Sequence, residues 1–146
     1  MEAVRMLRMK PELSPAALLE RAHLALRSSR GAAVAVTRID RFDNSVTFAG
    51  VGNISAHIYS GAKAFQHMVS VHGTAGFQSP KMREFRYPWP ENGILVMYSD
   101  GLSSNTGIEG HAGLAMRDPA LIAGVLYRDF SRRNDDATAM VAKAAA

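Results

Sequence analysis

Apolar residues change their spacing twice along this chain. In SPAALLERAHLALRSSRG, residues 14–31, Leu18, Leu19, Ala22 and Leu26 recur three or four positions apart, the repeat that places side chains on one helical face. Boundary signals agree with a helix there. Ser14 can cap it, Pro15 falls at its first position, Glu20 lies early, Arg27 and Arg30 lie late, and Gly31 can close the end. The segment EAVRMLRM, residues 2–9, reads as the tail of a preceding helix, with no capping residue ahead of it.

From Ala32 the period drops to that of strands. AAVAVTRID, SVTFAGVG, ISAHIYS and AFQHMVSVH are rich in Val, Ile, Phe and Tyr and are separated by Asp-Asn, Gly-Asn and Ser-Gly turn signals, which predicts four successive strands in an antiparallel meander. KMREFRYPW supplies a further extended stretch, and Pro88 and Pro90 confine its end to a sheet edge or loop. After the turn PENG, the run ILVMYS has the continuous apolar character of a strand buried on both faces. DPALIAGVLYRDF returns to helical spacing with Asp118 as N-cap and Pro119 behind it, and ATAMVAK closes as a strand.

Composition narrows the class. A chain of 146 residues with 47% apolar content can bury a real core, and nothing divides it, so residues 1–146 are expected to form a single domain. The net charge of +4 is scattered rather than gathered into a block or stripe, which gives no footprint for nucleic acid. The absence of cysteine excludes disulfides and thiolate metal sites and suits a cytoplasmic protein. No window approaches the roughly 20 apolar residues of a membrane span, so no membrane partner is expected.

Candidate chemistry sits at two strand ends. ILVMYSDGL places Asp100 directly after a buried strand, and NDDATAMV places Asp135 and Asp136 before the last one. Strand ends hold side chains rigidly yet open to solvent, and hard oxygen donors in such places suit Mg²⁺ or Mn²⁺ rather than zinc. Asp100 and Asp135 lie 135 − 100 = 35 positions apart, and the helix between them lets the two strands become neighbours. Spacing alone leaves a second reading open, because Asp-Gly after a strand is also an ordinary turn and Asn-Asp-Asp an ordinary solvated loop.

SDGL at Ser99–Leu102, NDDAT at Asn134–Thr138 and FAGVGNI at Phe48–Ile54, with GTAGF, EFRYPWP and ALIAGVLYRDF around them, resemble the second half of a PPM-type metal-dependent serine/threonine phosphatase of the bacterial SpoIIE-type branch. The resemblance covers essentially the whole chain. It implies an α+β fold: a sandwich of antiparallel sheets flanked by helices, incomplete at the N-terminus. It implies a two-metal centre for Mn²⁺ or Mg²⁺ with Asp100 and Asp135 as ligands, and Ser99, Gly101, Asp136 and Thr138 orienting them. Hydrolysis would proceed through a metal-activated water with no protein nucleophile. The implied substrate is a phosphoserine or phosphothreonine on a STAS-type anti-sigma antagonist. One departure from the family's pattern stands out. The Asp-Gly-x-Gly motif whose Asp bridges both metals has no counterpart before Ser14, where Glu2 and Glu12 are the only early candidates and neither precedes glycine. That departure opens an alternative function, an inactive remnant serving as a protein-binding regulatory module.

Other residues carry weaker signals. Arg132 and Arg133, just before the acidic pair, are candidate contacts for a substrate phosphate through the planar guanidinium fork. His23, His57, His67, His72 and His111 show no metal-ligand spacing, and His72 beside Gly73 is the candidate general acid. GVGN reads as a hairpin turn or bulge rather than a nucleotide loop, because it lies between two strands. Trp89 is a candidate edge anchor or docking residue, and Met68, Met82, Met97 and Met140 are expected to fill the core.

Overall fold

The computed structural model describes residues 12–77 and 81–144, so the helix expected over residues 2–9 lies outside it. The first described helix, α1 (Pro15–Leu26), starts where its signals place it: the Ser14 hydroxyl accepts from the Ala17 amide at 3.3 Å and Pro15 occupies the first turn. The Glu84 carboxylate accepts from the Ala16 amide at 3.0 Å, setting a negative charge against the positive end of the helix dipole. The far end differs from expectation. The helix stops at Leu26, whose carbonyl is taken by the Ser29 amide at 2.9 Å and hydroxyl at 2.7 Å. Gly31, beyond that turn, uses its φ of 74° to approach the Ala75 backbone.

The strands form two antiparallel sheets rather than one meander. β1 (Val34–Asp40) pairs with β2 (Ser45–Val51), and β2 pairs on its other side with β5 (Phe85–Pro88), giving the order β1-β2-β5. The Asp-Asn signal makes the first turn, with Asn44 at φ 51°, a region Asn tolerates better than most residues. β5 is an edge strand, as its proline required, and Arg86 on it forms an ion pair with Asp43 of that turn. β3 (Ser55–Ser60) and β4 (Lys63–Met68) form a hairpin around Gly61-Ala62, with Gly61 at φ 62° as primed turns need. They belong to the second sheet, of order β4-β3-β6-β7, with β6 (Gly93–Tyr98) and β7 (Ala139–Lys143). The GVGN stretch therefore joins strands of different sheets and is not a hairpin. Gly52, at φ 98°, makes this turn where an added Cβ would lie 2.7 Å from that of Ala33.

The described chain divides into two compact units, one built from the residues up to Ile54 with Val69–Pro88, the other from Ser55–Met68 with the residues from Trp89 onward. In the first unit Leu19, Ala49, Val51, Ala75 and Met82 form a core cluster, with Leu26, Val34 and Val71 against it. In the second, every residue of β6 is buried, as its apolar run required. Tyr59, Ile94, Val96 and Tyr98 pack with Leu102, Ile108 and Leu114, and with Ile122 and Leu126 of α2 (Pro119–Phe130). Asp118 caps α2 by accepting from the Ala120 amide at 2.8 Å. A cap contributes about 1 kcal/mol, while full burial of each of Ile122 and Leu126 contributes about 1.5–3 kcal/mol. Packing, more than capping, holds this helix in place. Met68, Met82 and Met97 are buried as expected, but Met140 is 47% exposed. It lies on the outermost strand of its sheet, which no described strand covers.

Candidate metal centre

The acids expected at strand ends are set by the β6–β7 pair, whose register matches Tyr98 with Ala139. Immediately beyond it, Ser99 binds the opposite strand three times. Its amide donates to the Thr138 carbonyl at 3.0 Å, its hydroxyl accepts from the Thr138 amide at 3.0 Å, and the same hydroxyl donates to the Asp136 carbonyl at 3.4 Å. The Leu102 amide then donates to the Ser99 carbonyl at 3.0 Å, closing a tight turn with Asp100 and Gly101 at its tip. Gly101 is buried, and a Cβ there would collide with the Asp136 carbonyl and lie 2.7 Å from the Ala137 Cα. No side chain fits.

Further bonds extend this stitching. The Gly101 carbonyl accepts from the Arg132 amide at 2.8 Å and the Ser103 amide donates to the Phe130 carbonyl at 2.9 Å. Segments 99–103 and 130–138 are thus laced together by their backbones. Ser99, Gly101, Asp136 and Thr138 meet in this knot, through the Asp136 backbone rather than its carboxylate. Asp100 and Asp135 project next to it, both exposed. The Asp135 carboxylate also accepts from the Asp136 amide at 2.9 Å, which restrains its orientation. Arg132 and Arg133 are exposed.

A divalent cation tests this arrangement in kind and in number. Exposed carboxylates on a rigid backbone fit Mg²⁺ or Mn²⁺ in kind. In number they fall short, because among the described residues no three or more His, Asp or Glu side chains gather as metal ligands. Asp100 and Asp135 alone would be an incomplete donor set.

Two clusters next to the knot escaped the sequence reading. Tyr98, directly before Ser99, shares a hydrogen bond of 3.2 Å with His57 Nε2, and the His57 ring meets that of His67 edge-on at 4.5 Å. Burial lowers the pKa of His57, and His67 lowers it further. Burial likewise raises the pKa of Tyr98. The available signal was two histidines on adjacent predicted strands, which spacing along the chain could not pair. At the end of α2 the Asp129 carboxylate accepts from Arg128 Nε at 2.6 Å and from His111 Nε2 at 2.9 Å. The Arg128 guanidinium, aided by His111, holds that carboxyl well below the usual range. This anchors the loop bearing His111 just ahead of segment 130–138.

With the geometry in hand, comparison with known proteins is informative. A chain from a structure described as "The bacterial stressosome: a modular system that has been adapted to control secondary messenger signaling" superposes with a TM-score of 0.83 at 23% identity, over 95% of this chain and 72% of that one. RsbX in complex with magnesium matches at 0.77 and 16% identity, over 97% and 70%. The phosphatase domain of the cell-fate determinant SpoIIE from Bacillus subtilis matches at 0.57 and 19% identity, over 98% and 72%. None of the curated proteins compared with this sequence matches it. At these identities the structural likeness shows the fold, the α+β architecture of PPM-type phosphatases that the motifs implied. The family model described as Stage II sporulation protein E (SpoIIE) matches residues 1–145, and by that match the chain belongs to the SpoIIE family.

Proposed function

We propose that this chain is a serine/threonine protein phosphatase domain of a bacterial, cytoplasmic partner-switching pathway, acting on a phosphorylated STAS-type regulator with Mn²⁺ or Mg²⁺. The observation that carries the reading is the lacing of segment 99–103 to segment 130–138, which presents Asp100 and Asp135 from a common backbone support. Family membership supports it. So do the magnesium complex of RsbX and the SpoIIE phosphatase domain presoaked with manganese.

Asp100 and Asp135 would hold the cation, with water as further ligands. A bound divalent cation supplies a more acidic water and a counter-charge for the phosphoryl oxygens. The chain's own residues do the positioning. Ser99 ties Thr138 and Asp136 in place, Gly101 lets the two segments touch, and Arg132 and Arg133 would meet the charge of a substrate phosphate. Hydrolysis of a phosphoserine peptide with Mn²⁺, run beside Asp100→Asn and Asp135→Asn, tests the reading. Loss of turnover to background in both variants is expected. Unchanged turnover in either would overturn the role of that residue.

A second reading is favoured by the two-carboxylate donor set: a module that binds the phosphoprotein without hydrolysing it. It predicts no turnover by the parent chain, with binding that survives Asp100→Asn.

A further inference from the structure

In the first unit a recess of about 320 Å³ is lined by Ala33, Gly52, Asn53, Ser70, His72, Gly73 and Thr74. Its frame is rigid. The Val71 amide donates to the Gly50 carbonyl at 2.8 Å, the Gly52 amide to the Val71 carbonyl at 2.9 Å, and the Ser70 hydroxyl to the Ile54 carbonyl at 2.8 Å. Ala32 and Ala75 exchange both backbone bonds at 3.0 Å, fixing the segment beyond Thr74. Gly52 and Gly73 take φ of 98° and 140°, where side chains would be strained. A Cβ on Gly50 would lie 2.6 Å from the Ser70 hydroxyl. The recess is thus built into the backbone rather than left between mobile side chains.

No Asp or Glu lines the recess. Among the described residues the His72 and Thr74 side chains have no hydrogen-bond partner, and an imidazole and a hydroxyl can both donate. A cation would find no counter-charge there, and an apolar ligand would cover the half-buried Thr74 hydroxyl without pairing it. A ligand made of acceptors alone satisfies both donors, and the chain's net charge of +4 adds a general attraction for anions. We propose that this recess binds a phosphoryl oxyanion, with His72 and Thr74 donating to it. None of its residues is among those assigned to the cation; His72 is also the candidate general acid of the phosphatase reading, so the test reads binding in the absence of metal rather than turnover.

The test is a titration of inorganic phosphate into the full ¹⁵N-labelled chain with EDTA present, which removes any phosphate held through a cation. Saturable amide shifts at Gly52, His72, Gly73 and Thr74 are expected, with a Kd on the order of millimolar. His72→Ala and Thr74→Val should each weaken binding about three- to tenfold. His72 is exposed and Thr74 half-buried, and dispersed spectra of both variants serve as the folding control. Parallel titrations with a phosphoserine peptide and its unphosphorylated twin separate the sources. Tighter binding of inorganic phosphate assigns the recess to the free ion, and tighter binding of the phosphopeptide assigns it to a phosphate ester. The proposal is overturned by an absence of saturable shifts at these amides, by equal binding of the unphosphorylated peptide, or by unchanged affinity in both variants.

Discussion

Gly101 shows how much one residue decides. A methyl group there must push aside the backbone at Asp136 and Ala137, so Gly101→Ala is expected to destabilise the chain by about 1–3 kcal/mol. It should also separate the two acidic segments, a loss that denaturant titration and a phosphoserine assay would register together. Ser99→Ala removes two of the three bonds to segment 136–138 but keeps the backbone one. A smaller loss, about 0.5–1.5 kcal/mol by denaturant titration, is expected, with Mn²⁺ affinity, measured calorimetrically, reduced about 10–100-fold where the seryl bonds orient the ligands. At this scale the sequence showed which residues matter but not why. SDGL and NDDAT were legible as motifs at strand ends, whereas the need for glycine arises from contact with Asp136 and Ala137, far along the chain. Linear spacing carries no such distance.

Among the elements, the β3–β4 hairpin carries a pH dependence. His57 on β3 faces His67 on β4 and Tyr98 on β6, with Tyr59 beside it on its own strand and Glu109 acting on it from the connection between β6 and α2. Burial, then His67, lowers the folded pKa of His57 below 6.5, while Glu109 opposes them. The unfolded chain therefore takes up the proton first. The contribution from neutral His57 is whole above about pH 6.5 and is lost as pH falls through the folded pKa. Thermal melts between pH 8 and pH 5 should show this decline, and His67→Gln should make it shallower without abolishing it, since burial is the larger cause. Element types were largely legible, because β6 is a continuous apolar run and α2 keeps helical spacing. The connection from β2 to β3 was not. A Gly-Asn signal marks a change of direction, and the same signal serves a hairpin and a passage from one sheet to another. Only strand pairing distinguishes them.

For the molecule as a whole, each compact unit is assembled from two separate lengths of chain. Neither can form before distant segments meet, which favours slow folding. The exposed boundary of β7 adds a hazard to that delay. Among the described residues no strand pairs with its outer side, it carries no proline, and Met140 is 47% exposed. Its lysine does not guard it, since Lys143 Nζ donates to the Ala115 and Arg117 carbonyls at 2.8 Å each. Edge strands of this kind invite pairing with other chains. Met140→Lys is expected to reduce concentration-dependent association in sedimentation while leaving the circular dichroism spectrum unchanged.

The way the chain departs from the first unit and comes back to it has a practical side. It leaves after Ile54 and returns at Val69, and the Ser70 hydroxyl is bonded to the Ile54 carbonyl at that point. Exit and entry share one doorway, so the length of the excursion between them is not dictated by the unit it interrupts. At the excursion's tip Gly61 has open space around it, and lengthening a loop costs only about 0.6 kcal/mol per doubling. The Gly61-Ala62 turn is therefore the place to graft an epitope or a fluorescent reporter, with the first unit's backbone left as it is.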